Sequence, residues 1–302
     1  MSTITESNIT LRPVDVFYGD REKWTVTFVA DSGGSLNSTY FTFQNTDIDG
    51  ATTNYYVWFD INSAGVDPAV SGSTGITVAG ATGVTAATLA AAVVTAIDAS
   101  AARVSAVQTS GVLTLEMGAM GAVADVADGG AATSFTFASV TAGQKLELGA
   151  TEDVELSTSF SLVEVTASQL GETRLDAIQN GSNITISVPA KEVTASLLQE
   201  MLGEVAGDTR TVGSDTIVGI GESQRFVNMK ARSKELFLRP ANEATLANAV
   251  CVWAAYPDLT GLNYSGSELQ VLQIEFSAFR DSNRPTTVSV AAFGKSDKKM
   301  LA

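Results

Sequence analysis

Histidine is absent from the sequence, and cysteine occurs once. Those two facts remove Ser-His-Asp and Cys-His nucleophiles and the commonest zinc ligand. Cys251 lies in Ala249-Val250-Cys251-Val252-Trp253. An apolar setting of that kind suits a buried structural thiol, and a single cysteine allows neither an internal disulfide nor a multi-cysteine metal site. Carboxylates are plentiful, for example Glu152 and Asp153. Two carboxylates make a glycosidase dyad only at a set separation, which sequence does not give. Asp60-Ile61-Asn62-Ser63-Ala64-Gly65-Val66-Asp67 has the alternating Asp and Asn and the sixth-position Gly of a calcium loop. Its fifth position is Ala64, and Gly72 stands where the twelfth-position glutamate belongs. Most of the charge that holds calcium is missing, and a turn after a strand explains the same letters. Gly219-Ile220-Gly221-Glu222 lacks the rest of a dinucleotide fingerprint. No enzyme activity, metal or cofactor is expected.

The net charge is −15. That argues against gripping nucleic acid, which needs a basic footprint, but not against guiding it. One cluster runs against the acidic background: Arg225, Lys230, Arg232, Lys234 and Arg239, opposed locally by Glu235. Lys and Arg on an edge strand discourage misassembly. The other reading is a basic surface that meets an acidic neighbouring subunit and sets register.

The elements that would position these residues are mostly strands. Val154, Leu156, Phe160 and Leu162 alternate with Glu155, Ser157, Ser159 and Ser161, then the phase flips at Val163, Glu164 and Val165. Alternation predicts a half-buried strand, and the flip predicts a bulge. Asn180-Gly181 between Leu175–Gln179 and Ile184–Val188 predicts a tight hairpin turn, with Pro189 closing the hairpin. A short helix is expected at Ala195–Leu202, capped by Thr194. Strands are expected at Val14–Tyr18, Thr216–Gly219, Arg225–Ala231, Glu235–Arg239, Val250–Tyr256, Leu269–Phe279 and Thr287–Phe293, with a turn at Gly19-Asp20. Short connections between them suit an antiparallel barrel or sandwich.

Residues 24–143 differ in composition. They contain nine acidic residues, no lysine and one basic residue, Arg103. Strands at Trp24–Val29, Tyr40–Gln44, Tyr55–Ile61 and Ile76–Val78 precede a helix at Thr85–Ala99, whose Leu89, Val93 and Ile97 recur every four residues. A hairpin follows, Val104–Gln108 and Val112–Met117 about Ser110-Gly111. Gly118–Ala132 reads as a loop, and Ser134–Val140 as a last strand. The shift predicts an inserted α+β domain, one helix on an antiparallel sheet, in a mainly β chain whose core is 1–23 with 144–302.

Ile9-Thr10-Leu11-Arg12-Pro13, Leu148-Gly149-Ala150-Thr151-Glu152-Asp153-Val154-Glu155-Leu156, and the segment from Glu172-Thr173 to Asn183-Ile184-Thr185-Ile186 together resemble the tail tube proteins of long-tailed bacteriophages. The resemblance covers about residues 1–22 and 144–302. It implies a β-sandwich core with one short helix, whose inner sheet joins those of neighbours into a barrel. It implies homohexameric rings stacked into a tube that conducts DNA, with tape measure and terminator proteins as further partners. The implied location is the phage tail, assembled in the host cytoplasm and without membrane insertion. The opening MSTITESN carries no basic or apolar signal region, so a signal peptide is not expected. Residues 24–143 would then decorate the outer wall, with weak contact to the host surface, on a non-contractile tail. A lumen lined by acidic and hydroxyl side chains lets DNA slide, because each phosphate neutralised strengthens binding. Glu155 and Glu164 are the lumen candidates, although alternation leaves the outer face open to them. The basic cluster supplies the inter-subunit candidates. The other reading of the chain is a tail-tip adhesin or carbohydrate-binding module.

Overall fold

The computed structural model describes residues 13–47, 50–130, 133–151, 154–167, 173–190, 195–201, 209–212, 215–218, 228–241, 248–263, 271–284 and 290–294. The protein is mainly β. It divides into two compact units. Unit I comprises Tyr18–Leu146, Thr245–Cys251 and Asp281–Ala302, and unit II comprises Met1–Phe17, Glu147–Ala244 and Val252–Arg280. Among the described residues no helix is long and apolar enough to cross a membrane.

Unit I begins within β1 (Val14–Thr27). The strand runs straight through Gly19-Asp20, where composition predicts a turn. A side chain at Gly19 would place its Cβ 2.0 Å from the Gln144 carbonyl oxygen. The glycine is there so that two backbones can approach, not so that the chain can reverse. After β1 come β2 (Tyr40–Thr46), β3 (Thr52–Ile61), β4 (Thr74–Gly80), the helix α1 (Ala86–Ala99), β5 (Ser105–Thr109), β6 (Val112–Met120), β7 (Ala127–Asp128), β8 (Thr136–Thr141) and β9 (Gln144–Thr151), which passes into unit II after Leu146. One sheet carries the order β8-β1-β6-β5 and a second the order β4-β3-β2-β7. The expected loop at Gly118–Ala132 is in part strand, since it contains the end of β6 and all of β7.

The second sheet is not wholly antiparallel. β3 and β4 pair in parallel, Tyr55 opposite Thr74 through Ile61 opposite Gly80. A parallel pair needs a connection of about a dozen residues to carry the chain back. The segment after Ile61 is that crossover, which is why it is rich in turn formers. Asp60 Oδ1 accepts the Gly65 N–H at 2.8 Å, and Asp67 Oδ1 accepts the Tyr56 hydroxyl at 2.7 Å and the Ala69 N–H at 2.9 Å. These carboxylates fold the crossover back onto its own strand.

α1 forms where its four-residue period predicts. Thr85 caps it by accepting the Thr88 N–H at 3.2 Å, and Leu89, Ala90, Val93 and Ile97 are buried. They join Trp24, Val26, Phe41, Phe43, Phe59, Leu113, Leu115 and Phe135 in one core. Phe28 meets Phe135 edge-on at 4.6 Å and Phe135 meets Phe59 at 5.5 Å. Burying a Leu, Ile or Val side chain contributes about 1.5–3 kcal/mol, so this stripe fixes the helix.

Unit II contains β10 (Glu155–Ala167), β11 (Thr173–Ala190), α2 (Ala195–Met201), β12 (Thr209–Val212), β13 (Asp215–Val218), β14 (Lys234–Pro240), β15 (Val250–Asn263) from Val252 onward, and β16 (Val271–Ala278); β17 (Ala291–Phe293) falls in unit I. Its sheet runs β10-β11-β16-β15-β14-β1, and β12-β13 form a separate hairpin. The expected bulge exists, but the expected Asn-Gly hairpin turn does not. β11 passes through Asn180-Gly181 without reversing. Ser161 pairs with Gly181 and Leu162 with Gln179, so Asn180 is the extra residue of the bulge. The phase flip on β10 and the Asn-Gly on β11 are two halves of one irregularity. Pro189 likewise does not end the strand; it pairs with Gln273 of β16. Leu197 and Met201 of α2 are buried, whereas its expected cap Thr194 lies outside the described residues.

Asp31 is the tie that holds the entrance to α1. Its carboxylate accepts N–H groups from Gly83 at 3.0 Å, Gly34 at 2.9 Å and Leu36 at 3.1 Å. The Gly83 bond is the largest influence holding its carboxyl below the ordinary range; burial opposes it, and Gly34, Leu36 and the Ser35 hydroxyl reinforce it. A depressed carboxyl contributes stability above about pH 3.9 that is lost as pH falls through its folded value. Asp31→Asn should therefore cost about 1–3 kcal/mol at pH 7 in urea unfolding. The difference from wild type should shrink below pH 4. An equal difference at both pH values would refute the assignment.

Candidate functional site

In a β-rich fold, open strand edges and exposed charges are the parts another chain can engage. β10 ends its sheet, and among the described residues its one strand neighbour is β11. Its start is exposed at Glu155, Ser157, Thr158 and Ser159. A strand in that position offers a row of N–H and C=O groups to another chain. Glu155 is exposed, and its Oε1 accepts the Ser157 hydroxyl at 3.2 Å. Glu164 stands on the same strand opposite Ala177, beyond the Asn180 bulge.

The described members of the basic cluster differ in their settings. Arg225 lies outside the described residues. The strand expected over Arg225–Ala231 gives way, at its described end, to a 3-10 turn at Met229–Arg232. Asn228 caps that turn by accepting the Lys230 N–H at 3.0 Å, so Lys230 and Arg232 follow turn geometry and not strand alternation. Lys234 pairs with Glu200 of α2 at 2.6 Å. Arg239 donates to Asp15 Oδ2 at 2.8 Å and lies over the Phe17 ring, 5.1 Å from its centroid. Those two cations hold unit II to itself: Lys234 ties β14 to α2, and Arg239 ties β14 to β1. Among the described members Lys230 is the exposed one.

Sequence reading missed the strongest electrostatic feature. Glu116 of β6 is fully buried in unit I. Arg284 Nη2 donates to its Oε1, and Lys23 Nζ lies 2.8 Å from its Oε2. Arg284 also holds Asp281 at 3.2 Å. Arg21 and Glu22 of β1 are buried too. Glu22 accepts the Trp24 indole N–H at 2.6 Å and the Val123 N–H at 2.7 Å. Burial is the largest influence on the Glu116 carboxyl and pushes it upward. Arg284, Lys23 and Arg21 together outweigh it and hold the carboxyl below the ordinary range. The available signal was Asp20-Arg21-Glu22-Lys23, four consecutive charges inside a strand of alternating apolar residues. Four in a row cannot all face water in an element whose faces alternate.

No protein-family model matches the chain, and no curated protein matches it.

Breaking a buried pair leaves an uncompensated charge and costs about 3–5 kcal/mol. Arg284→Met should lose that much in urea unfolding at pH 7. Glu116 carries the sign of a depressed carboxyl, with stability present above about pH 4.3 and lost as pH falls through its folded value. The Arg284→Met penalty should therefore shrink in acid, where the carboxyl can take a proton. A penalty under about 1 kcal/mol at pH 7 would show the cluster to be incidental.

Proposed function

We propose that the protein is a virion structural protein, the subunit of stacked rings that form a bacteriophage tail tube and conduct DNA. The observation that carries the reading is β10, a thirteen-residue strand at the end of its sheet. A long open edge is a hazard in a monomer and a connector in a ring. Pairing β10 with the sheet of a neighbour continues one sheet from subunit to subunit, and the ring closes when the rotation does. The Ser and Thr side chains of Glu155–Ser159, with Glu155 itself, suit a wall past which DNA slides. Glu155 and Glu164 are the residues assigned to that wall. Lys230 is the member of the basic cluster best suited to meet an acidic neighbour. On this reading the protein is not an enzyme, it needs no cofactor, and tape measure and terminator proteins complete the tail.

The test uses the full chain, size-exclusion chromatography and negative-stain microscopy. Rings or tubes are expected for the wild type. Discrete trimers would favour a tail-tip adhesin, and a protein that stays monomeric as concentration rises would overturn the reading. N–H groups of adjacent residues on an edge strand point alternately inward and outward. Of Thr158→Pro and Ser159→Pro, one removes an outward donor alone. That variant should keep its melting temperature yet form no rings, and rings from both variants would exclude β10 as the connector.

A further inference from the structure

Unit I has open edges of its own. Among the described residues β4 has β3 as its one strand neighbour, and β8 has β1. Thr74, Gly75, Thr77 and Ala79 of β4 are exposed, as are Thr136, Ala138, Ser139 and Val140 of β8. The other end strands of these sheets differ: β5 has Ser105 and Ala106 buried, and β7 has two residues.

The charge pattern singles out the same two edges. No ionisable residue occurs between Asp67 and Asp98, the run that contains β4, and none between Asp128 and Lys145, the run that contains β8. These are the two longest charge-free runs in a chain of net charge −15. Natural edges are guarded by Lys, Pro, bulges or inward charges. β4 (TGITVAG) and β8 (TFASVT) carry no Lys, Pro or other charge. Two acidic copies repel wherever charged surfaces meet, so they can pack edge to edge where charge is missing. The small side chains Gly75, Thr77, Ala138 and Ser139 let backbones approach to sheet spacing, about 4.8 Å.

We infer that β4 of one copy pairs with β8 of a second copy, joining unit I of neighbouring subunits by backbone hydrogen bonds. Two different patches make a head-to-tail contact, the kind that propagates around a ring, whereas β4 against β4 would close a dimer. The inference rests on the ring reading for its symmetry and not for its edges.

The experiment mixes full-length Thr77→Cys and Ser139→Cys proteins under assembly conditions and adds a short bis-maleimide, whose reach tolerates a shift of register. Cys251 is buried and stays silent. Crosslinked species are read by denaturing electrophoresis and mass spectrometry, and rings by microscopy. A 77-to-139 crosslink between different chains, absent after dilution to monomer, is the expected result. Rings without that crosslink would overturn the inference and leave the ring reading standing. The crosslink without rings would do the reverse. A 77-to-77 crosslink would also overturn the inference, since it means an isologous dimer. Ala79→Lys, added to the Thr77→Cys chain, restores an edge guard on β4 and should reduce the 77-to-139 crosslink at least tenfold; undiminished crosslinking would count against edge pairing.

Discussion

The buried carboxylate of Glu116 sets a condition on the rest of unit I. An isolated carboxylate moved out of water is too costly to keep charged, so it must neutralise or find cations. It finds them on two segments far apart in the chain. Lys23 and Arg21 come from β1, and Arg284 comes from the stretch after β16. All three lie outside residues 24–143, while Glu116 lies inside. A change of composition marks where a stretch of unusual residues begins and ends. It does not mark where the electrostatic accounts of a fold are settled, and here they are settled across both of its ends.

What the sequence showed well was periodicity with a packing cause. α1 forms from Leu89, Val93 and Ile97 because that spacing makes one apolar stripe. The β5–β6 hairpin turns at Ser110-Gly111 because both residues adopt positive φ, 51° and 87°. The misreadings share one physical reason. Gly and Asn-Gly predict chain reversals by their letters alone, and here they serve other needs of backbone geometry. Gly19 makes room for Gln144, and Asn180 supplies the extra residue of a bulge. Local letters report that unusual backbone is required, and only the partner strand says which kind. The parallel β3–β4 pair was illegible for a similar reason, since strand direction depends on where a crossover goes and not on either strand.

Charged candidates were legible as charges and not as pairs. Lys234 and Arg239 looked like surface and are committed to Glu200 and Asp15. Arg284 carried no signal beyond its own identity, yet it faces the most deeply buried acid of the cluster. Residues 168 positions apart have no common periodicity that a sequence pattern could reveal. The edges were partly legible. Alternation marked β10 as half exposed, but the freedom of its outer side, and that of β4 and β8, required the sheet order.

Arg239 and Asp15 are separated by 224 residues, and their contact has a consequence for the timing of synthesis. A chain leaving the ribosome at about 5–20 residues per second exposes β1 long before β14 exists. Contacts of such separation carry a large loop-closure cost and belong to slow-folding topologies. For that interval Asp15 and Phe17 lack the guanidinium that covers them in the finished fold. A chain cut short before β14 therefore lacks the cation that ties the start of β1 into unit II.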